Sequence, residues 1–301
     1  MLSAAIAYQV LQQDSPQTID KVKTTLEKHP WYANQWQARL QDVPVADRDL
    51  VLFIQAARWP DDVRTHDKAQ NRPSWHYINL PFKPERQPAS VQTREPEPVN
   101  ILTAMAENES LLRNQKDAER KAIALAWLFH LVGDIHQPLH TAQLFTVEYP
   151  KGDRGGNEIC VRVRQAGQPM DLHRFWDDVI TSSTNVTRLR NAATEMRNRP
   201  GFARSQLTEL QSTKAESWAK ESFEIATKIY NEVRLPSREL GLEKNNDTYR
   251  ARSTSQWENQ CRVGREESKP PTTRIYLRLR SFDPGGADRR SYSEHFRYSP
   301  S

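Results

Sequence analysis

The stretch that most constrains this chain runs from Ala122 to His140, AIALAWLFHLVGDIHQPLH. Its first part is apolar enough for the middle of a helical domain, yet it carries His130 and Asp134 four residues apart, on one helical face. Pro138 then stops the helix, and His140 follows within a turn. Burying an imidazole and a carboxylate together in such a segment is costly unless something pairs with them. For His130 alone the ordinary explanation is a hydrogen-bonded core residue. Three further blocks shift the balance toward a metal ion. DLHRFWDDVI carries His173 and Asp177, again four apart on an aromatic-rich amphipathic stretch. RPSWHYINL sets His76 between aromatics, and ARWPDDVR sets Asp61 beside Trp59. Four of the eight histidines, His76, His130, His140 and His173, stand in these blocks with Asp61, Asp134 and Asp177 nearby. A His and Asp mixture without Cys suits zinc.

Read in order, these blocks are W-x-D-x-x-R, W-H-aromatic-I, H-x-x-x-D-x-x-Q-P-L-H, G-G-N and L-H-x-x-W-D. Here they are Trp59, Asp61 and Arg64; Trp75 to Asn79; His130 to His140; Gly155 to Asn157; and Leu172, His173, Trp176 and Asp177. In this order they resemble the zinc-dependent, single-strand-preferring nucleases of fungi, plants and bacteria, within the phospholipase C/nuclease superfamily. The resemblance covers roughly residues 3 to 233. It implies a mainly α, single compact helical domain with one small β-hairpin. The implied activity is hydrolysis of single-stranded RNA and DNA to 5′-phosphates, with 3′-nucleotidase activity, by a monomer that is secreted or periplasmic and has no stable protein partner. Two alternatives stay open: a truncated, weak or inactive member that keeps two of three zinc sites, and a zinc phospholipase C-like enzyme.

Residue by residue, the resemblance implies one zinc held by Asp61, His76, His130 and Asp134, and a second by His140, His173 and Asp177. A third would share Asp134 with an N-terminal Trp and a His five residues later, and this chain carries neither. The expectation is therefore of two supported ions, with the missing Trp-x-x-x-x-His segment and a signal peptide encoded upstream of Met1. Arg64 matches the arginine that stabilises charge on the phosphate. Tyr77 and Asn79 match positions that stack on and hydrogen-bond a base, and Asn157 matches a polar residue near the phosphate. Packing around His76 would account equally for Tyr77. His136 points away from Asp134 on the helix and is not counted as a ligand.

The net charge of +5 invites a nucleic-acid reading, but residues 235 to 301 hold 13 Lys and Arg against 9 Asp and Glu, while the remainder hold 30 against 29. The basicity therefore belongs to the tail rather than the body. Mean hydropathy is low, at −0.83, and after Leu235 the chain turns Arg-, Ser-, Pro- and Asn-rich without a sustained period. Residues 1 to 234 are expected to form the nuclease domain, and 235 to 301 a disordered or aberrant tail. Two cysteines, Cys160 and Cys261, argue for no disulfide framework, and no run of 18 apolar residues suggests a membrane span.

Periodicity predicts helices over 3–13, from Pro16 past Leu26, 31–40, 47–58, 100–113, 117–137, 171–180 and 214–233. Six prolines between Thr65 and Val99 predict a long irregular segment holding His76. Alternation over Thr146 to Val163, around KGDRGG, predicts a β-hairpin.

Overall fold

Asp117 starts the central helix by accepting hydrogen bonds from the Glu119 and Arg120 amides, which satisfies two of the free N–H groups at a helix start. That helix, α6 (Ala118–Ile135), buries Ala122, Ala124, Leu125, Ala126, Trp127, His130, Leu131 and Ile135, which is why so apolar a stretch is stable. The computed structural model describes residues 1–162, 169–232 and 274–276.

Around α6 lie α1 (Leu2–Asp14), α2 (Pro16–Leu26), α4 (Arg48–His66), α5 (Ile101–Asn114) and α9 (Ala215–Glu232). Shorter pieces are α3 (Gln37–Gln41), preceded by a π turn at Tyr32–Trp36, and α7 (Leu172–Asp177). A helix that the periodicity did not suggest, α8 (Val186–Asn198), is capped by Asn185 and packs on α1. Its stripe is only Leu189 and Ala193 deep, among arginines. The chain is mainly helical, as expected.

Two departures matter for the site. The helix expected to stop at Arg58 continues through Pro60 to His66. Pro60 costs one ladder hydrogen bond, but Trp59, Pro60 and Val63 are all buried, and that burial holds the turn together. The predicted hairpin across KGDRGG is also absent. Short turns satisfy the backbone from Thr146 to Ile159 instead, several of them closed on Asp153. The antiparallel pairing lies further on, between β3 (Cys160–Arg162) and β4 (Met170–Asp171), and β5 (Arg274–Tyr276) runs parallel to β3. A parallel pair joins β1 (Leu80–Phe82) to β2 (Ala142–Leu144), which fixes the proline-rich segment against the residues after His140. The expectations for the rest of the tail and for residues 163 to 168 fall outside the described residues. Cys160 is disulfide-bonded, a single bond rather than a framework.

Two cores underlie the centre. The larger gathers Trp36, Trp59, Trp127, Met105 and Leu131 between α4, α5 and α6. Each buried indole removes roughly 150–250 Å² from water, about 4–6 kcal/mol as an upper bound. The smaller gathers Leu139, Leu144, Tyr149, Ile159, Leu172, Ile229 and Tyr230 under one face of α9.

Candidate metal centre

One turn beyond Trp127, at the edge of the larger core, His130 projects from α6 with its ring edge-on to that indole. Its Nδ1–H donates to the Ala57 carbonyl at 2.8 Å, in the stretch of α4 just before Pro60. A carbonyl can only accept, so this bond assigns the proton to Nδ1 and leaves the Nε2 lone pair for the site. Asp134, one turn on, lies with Oδ2 2.9 Å from that Nε2 and 2.9 Å from His76 Nδ1. His76 ends the short 3₁₀ turn Pro73–His76, and its Nδ1 is also 2.9 Å from His130 Nε2. Asp61 reaches in from α4, its Oδ1 3.8 Å from His130 Nε2.

The second group follows Pro138. His140 Nδ1–H donates to the His76 carbonyl at 2.7 Å, and His173 Nδ1–H to the Gly155 carbonyl at 2.8 Å. Both rings thus present Nε2 to Asp177, at 3.7 Å to Oδ1 and 3.8 Å to Oδ2 respectively, and they stack with centroids 4.8 Å apart. Asp134 Oδ2 is also 3.8 Å from His140 Nδ1, at the protonated edge of that ring, so the two groups adjoin at this carboxylate.

The donor chemistry fits a divalent cation. Asp61, His76 and His130 form one group whose ligand atoms all lie within 4.8 Å of one another, and His140, His173 and Asp177 form another. A tetrahedral zinc with bonds of about 2.0–2.1 Å spaces its ligands about 3.3 Å apart, close to the 2.9 Å contacts among His76, His130 and Asp134. Two imidazole nitrogens and a carboxylate oxygen that close require positive charge between them, from protons or from a metal. The titration pattern says the same. Burial, the largest single influence, pushes His130 and His140 down, but Asp134 together with Asp61 at the first, and Asp134 together with Asp177 at the second, outweighs it, and His140 rises to about 9. Burial opposes ionisation of Asp134 too, yet His130 and His140 hold it well below the usual carboxylate range. His76 is lowered by burial, and its Nε2 is buried without a hydrogen-bond partner.

All seven predicted ligands therefore meet along one wall. Arg64 is exposed on the rim with its guanidinium 2.8 Å from Asp61 Oδ1. Tyr77, next to His76, is exposed, and Asn79 is half-buried one residue before β1. Asn157 donates from Nδ2 to the Arg154 carbonyl at 2.8 Å. His136 turns back to the Val132 carbonyl and the Trp218 ring, away from both groups. The start of α1 abuts the Asp61–Asp134 corner, since a Cβ on Gly133 would lie 3.2 Å from Ser3 Oγ and both carboxylates act on the Met1 amino group.

Sequence reasoning passed over three residues. Gln137 donates from Nε2 to Asp177 Oδ1 at 2.9 Å, while its Oε1 caps the turn that presents His140. Asp153 and Tyr230 lie behind His173, hydrogen-bonded to each other at 2.8 Å. Gln137 stood inside a motif already singled out; Asp153 looked like a turn residue and Tyr230 like core.

A family model described as S1/P1 Nuclease matches residues 1–264. The chain belongs to the S1/P1 nuclease family. Similar curated proteins include Endonuclease 3 of Arabidopsis thaliana, 32% identical over 122 residues, which are 40% of this chain and 34% of that protein. Endonuclease 4 of the same plant is 29% identical over 155 residues, 47% and 46% of the two chains. Nuclease S1 of Aspergillus oryzae is 26% identical over 134 residues, 44% and 43%. The chain thus spans a third to just under half the length of these relatives. Among the described residues, no helix is long and apolar enough to cross a membrane.

Proposed function

We propose that this S1/P1 family member is a zinc-dependent phosphodiesterase that hydrolyses single-stranded RNA and DNA to 5′-phosphates and removes 3′-phosphates from nucleotides, acting as a monomer. The observation that carries the reading is the pair of three-donor groups that adjoin at Asp134. Asp61, His76, His130 and Asp134 would hold one zinc, and His140, His173 and Asp177 the other. When bound, zinc supplies Lewis-acid polarisation of a phosphoryl oxygen and water acidic enough to ionise near neutral pH.

The chain's own groups supply the rest. The backbone carbonyls of Ala57, His76 and Gly155 hold His130, His140 and His173 in the tautomer that leaves Nε2 free. Arg64, tethered to Asp61 and half in solvent, is placed to take a phosphate oxygen in its planar fork as charge grows there. Asn157 offers an amide on the side of the Gly155 loop. The exposed Tyr77 ring gives a face on which an unpaired base can stack, with Asn79 nearby for its edge. A base held in a duplex cannot reach such a face, which supports the preference for single strands. The disulfide at Cys160 suits an oxidising compartment and supports a secreted or periplasmic location.

The test is the zinc-loaded full chain on single-stranded and duplex oligonucleotides of one sequence, on a 3′-nucleotide and on phosphatidylcholine. Cleavage of the single strand to 5′-phosphate ends, abolished by a chelator, is expected. Hydrolysis of the lipid alone would favour the phospholipase reading, and a two-zinc protein inert on every substrate would favour the inactive one.

A further inference from the structure

Asp153 is fully buried, and its carboxylate accepts four hydrogen bonds, filling the sites it offers. Oδ1 takes the Leu144 amide at 2.8 Å and the Gly155 amide at 3.1 Å; Oδ2 takes the Gly156 amide at 2.7 Å and the Tyr230 hydroxyl at 2.8 Å. Arg154, Gly155 and Gly156 follow in the left-handed region, with φ of 58, 62 and 82°. Such a run curls consecutive N–H groups into an anion-binding concavity, filled here by the chain's own carboxylate. Glycine is required at 155 on two counts: its φ, and the 2.4 Å at which a Cβ would meet the Leu139 carbonyl oxygen.

The Gly156 N–H and the Gly155 C=O belong to one trans peptide plane and point in opposite directions. Asp153 holds the N–H side at 2.7 Å, and His173 Nδ1–H meets the C=O side at 2.8 Å. We propose that Asp153, steadied by Tyr230, is a positioning residue that acts through this single peptide on His173, fixing its ring and strengthening its Nε2 as a donor to the second ion. A negative charge on the N–H side polarises the amide, so the carbonyl is a stronger acceptor and the imidazole beyond it a more basic ligand. The Tyr230 hydroxyl shares Oδ2 with the Gly156 amide, so α9 is coupled to the same bond. Burial raises the Asp153 carboxyl to about 6, partly offset by these four donors; the charged form, which keeps all four bonds, is the one that organises the loop near neutral pH.

The inference rests on the reading that His173 ligates an ion. The full chain, stripped and reloaded with zinc and separately with cobalt(II), is compared with Asp153→Asn, Tyr230→Phe and His173→Ala. Chelator competition gives the affinity of each ion, and the cobalt absorption bands report the second site's ligand field. Asp153→Asn is expected to weaken the second ion about 10- to 100-fold and shift its cobalt bands, with the first ion unchanged. Tyr230→Phe is expected to do the same several-fold, because its ring stays packed on Phe82. If Asp153→Asn does not fold, Tyr230→Phe decides. The inference is overturned if His173→Ala loses the second ion while the other variants keep wild-type affinity and bands, or weaken both ions alike. A His173→Ala protein that still binds two ions unchanged would instead overturn the reading beneath it.

Discussion

His130, Asp134 and Asp61 stand on two long helices over the tryptophan-rich core, whereas His140 stands on a 3₁₀ turn and His173 and Asp177 on the six-residue α7, over the smaller core beneath α9. The first half borrows its precision from helix packing: His130 is placed by the same turns of α6 that bury Trp127 and Leu131. The second half is placed by hydrogen bonds, through Gln137 to Asp177 and through the Gly155 carbonyl to His173. Exposure follows the division among the histidines, His76 and His130 being 3% and 8% exposed against 11% and 21% for His140 and His173, while each half also carries a half-exposed aspartate, Asp61 at 51% and Asp177 at 45%. The donors on the long helices add polar supports, such as the Ala57 carbonyl at His130, to helix packing, while those over the smaller core depend chiefly on such supports and leave room for water and substrate. Asp134 adjoins both, through His130 Nε2 in the first and the Nδ1 edge of His140 in the second.

The largest expected effect tests that shared contact. Asp134→Asn removes the carboxylate 2.9 Å from His76 and His130 and 3.8 Å from His140. Both ions should weaken by more than about 100-fold and activity should fall by about 10³-fold or more. Loss of one ion alone, seen by metal analysis after dialysis, would show that the halves are independent.

His173→Ala comes next. It should empty only the second position and cost activity about 10²-fold, with an unfolding temperature within a few degrees of wild type, because the ring is partly exposed and not part of the core. A large drop in thermal stability would mean that the shallow half also carries the fold.

Acid probes the deep half through its wall. His29 is buried, stacked on Trp36 and edge-on to Trp59, with Nδ1 accepting the Trp31 amide at 3.1 Å. Burial presses its pKa to about 3, below the unfolded value of about 6.5. A pKa depressed on folding means the unfolded state binds more protons between those values. The stabilisation is therefore complete above about pH 6.5 and is lost as pH falls toward 3, by about 3 kcal/mol between pH 6.5 and 4. Urea unfolding of the metal-free protein at several pH values should show this slope, and His29→Gln should flatten it; an equal slope in the variant would assign the acid sensitivity elsewhere.

Gln137→Ala is the mildest. It removes the 2.9 Å bond to Asp177 and should weaken the second ion about tenfold without touching the first, measured by chelator competition.

The deep half was the more legible of the two in the sequence, for a physical reason. Spacing of four on a helix puts His130 and Asp134 together whatever the remainder does, and an apolar run announces that they are buried. The long helices could be read for the same reason, except where burial of Trp59 and Val63 carried α4 through Pro60. The shallow half depends on bonds between distant residues. No local pattern says that the KGDRGG stretch closes on Asp153 rather than turning a hairpin, that Tyr230 supplies a hydroxyl across 77 positions, or that β1 lies parallel to β2. His173 and Asp177 could be named by spacing, but what holds them could not. Arginine-rich α8 was missed because its apolar stripe is two residues wide.

The central claim, two ions on seven named side chains with Asp134 between them, is tested most directly by anomalous diffraction at the zinc edge from crystals of the zinc-loaded chain. Two peaks are predicted. One should lie between His76 Nδ1, His130 Nε2, Asp61 and Asp134, and the other between His140 Nε2, His173 Nε2 and Asp177. Peaks bound by other residues, or none at either position in protein that carries stoichiometric zinc, would contradict the account.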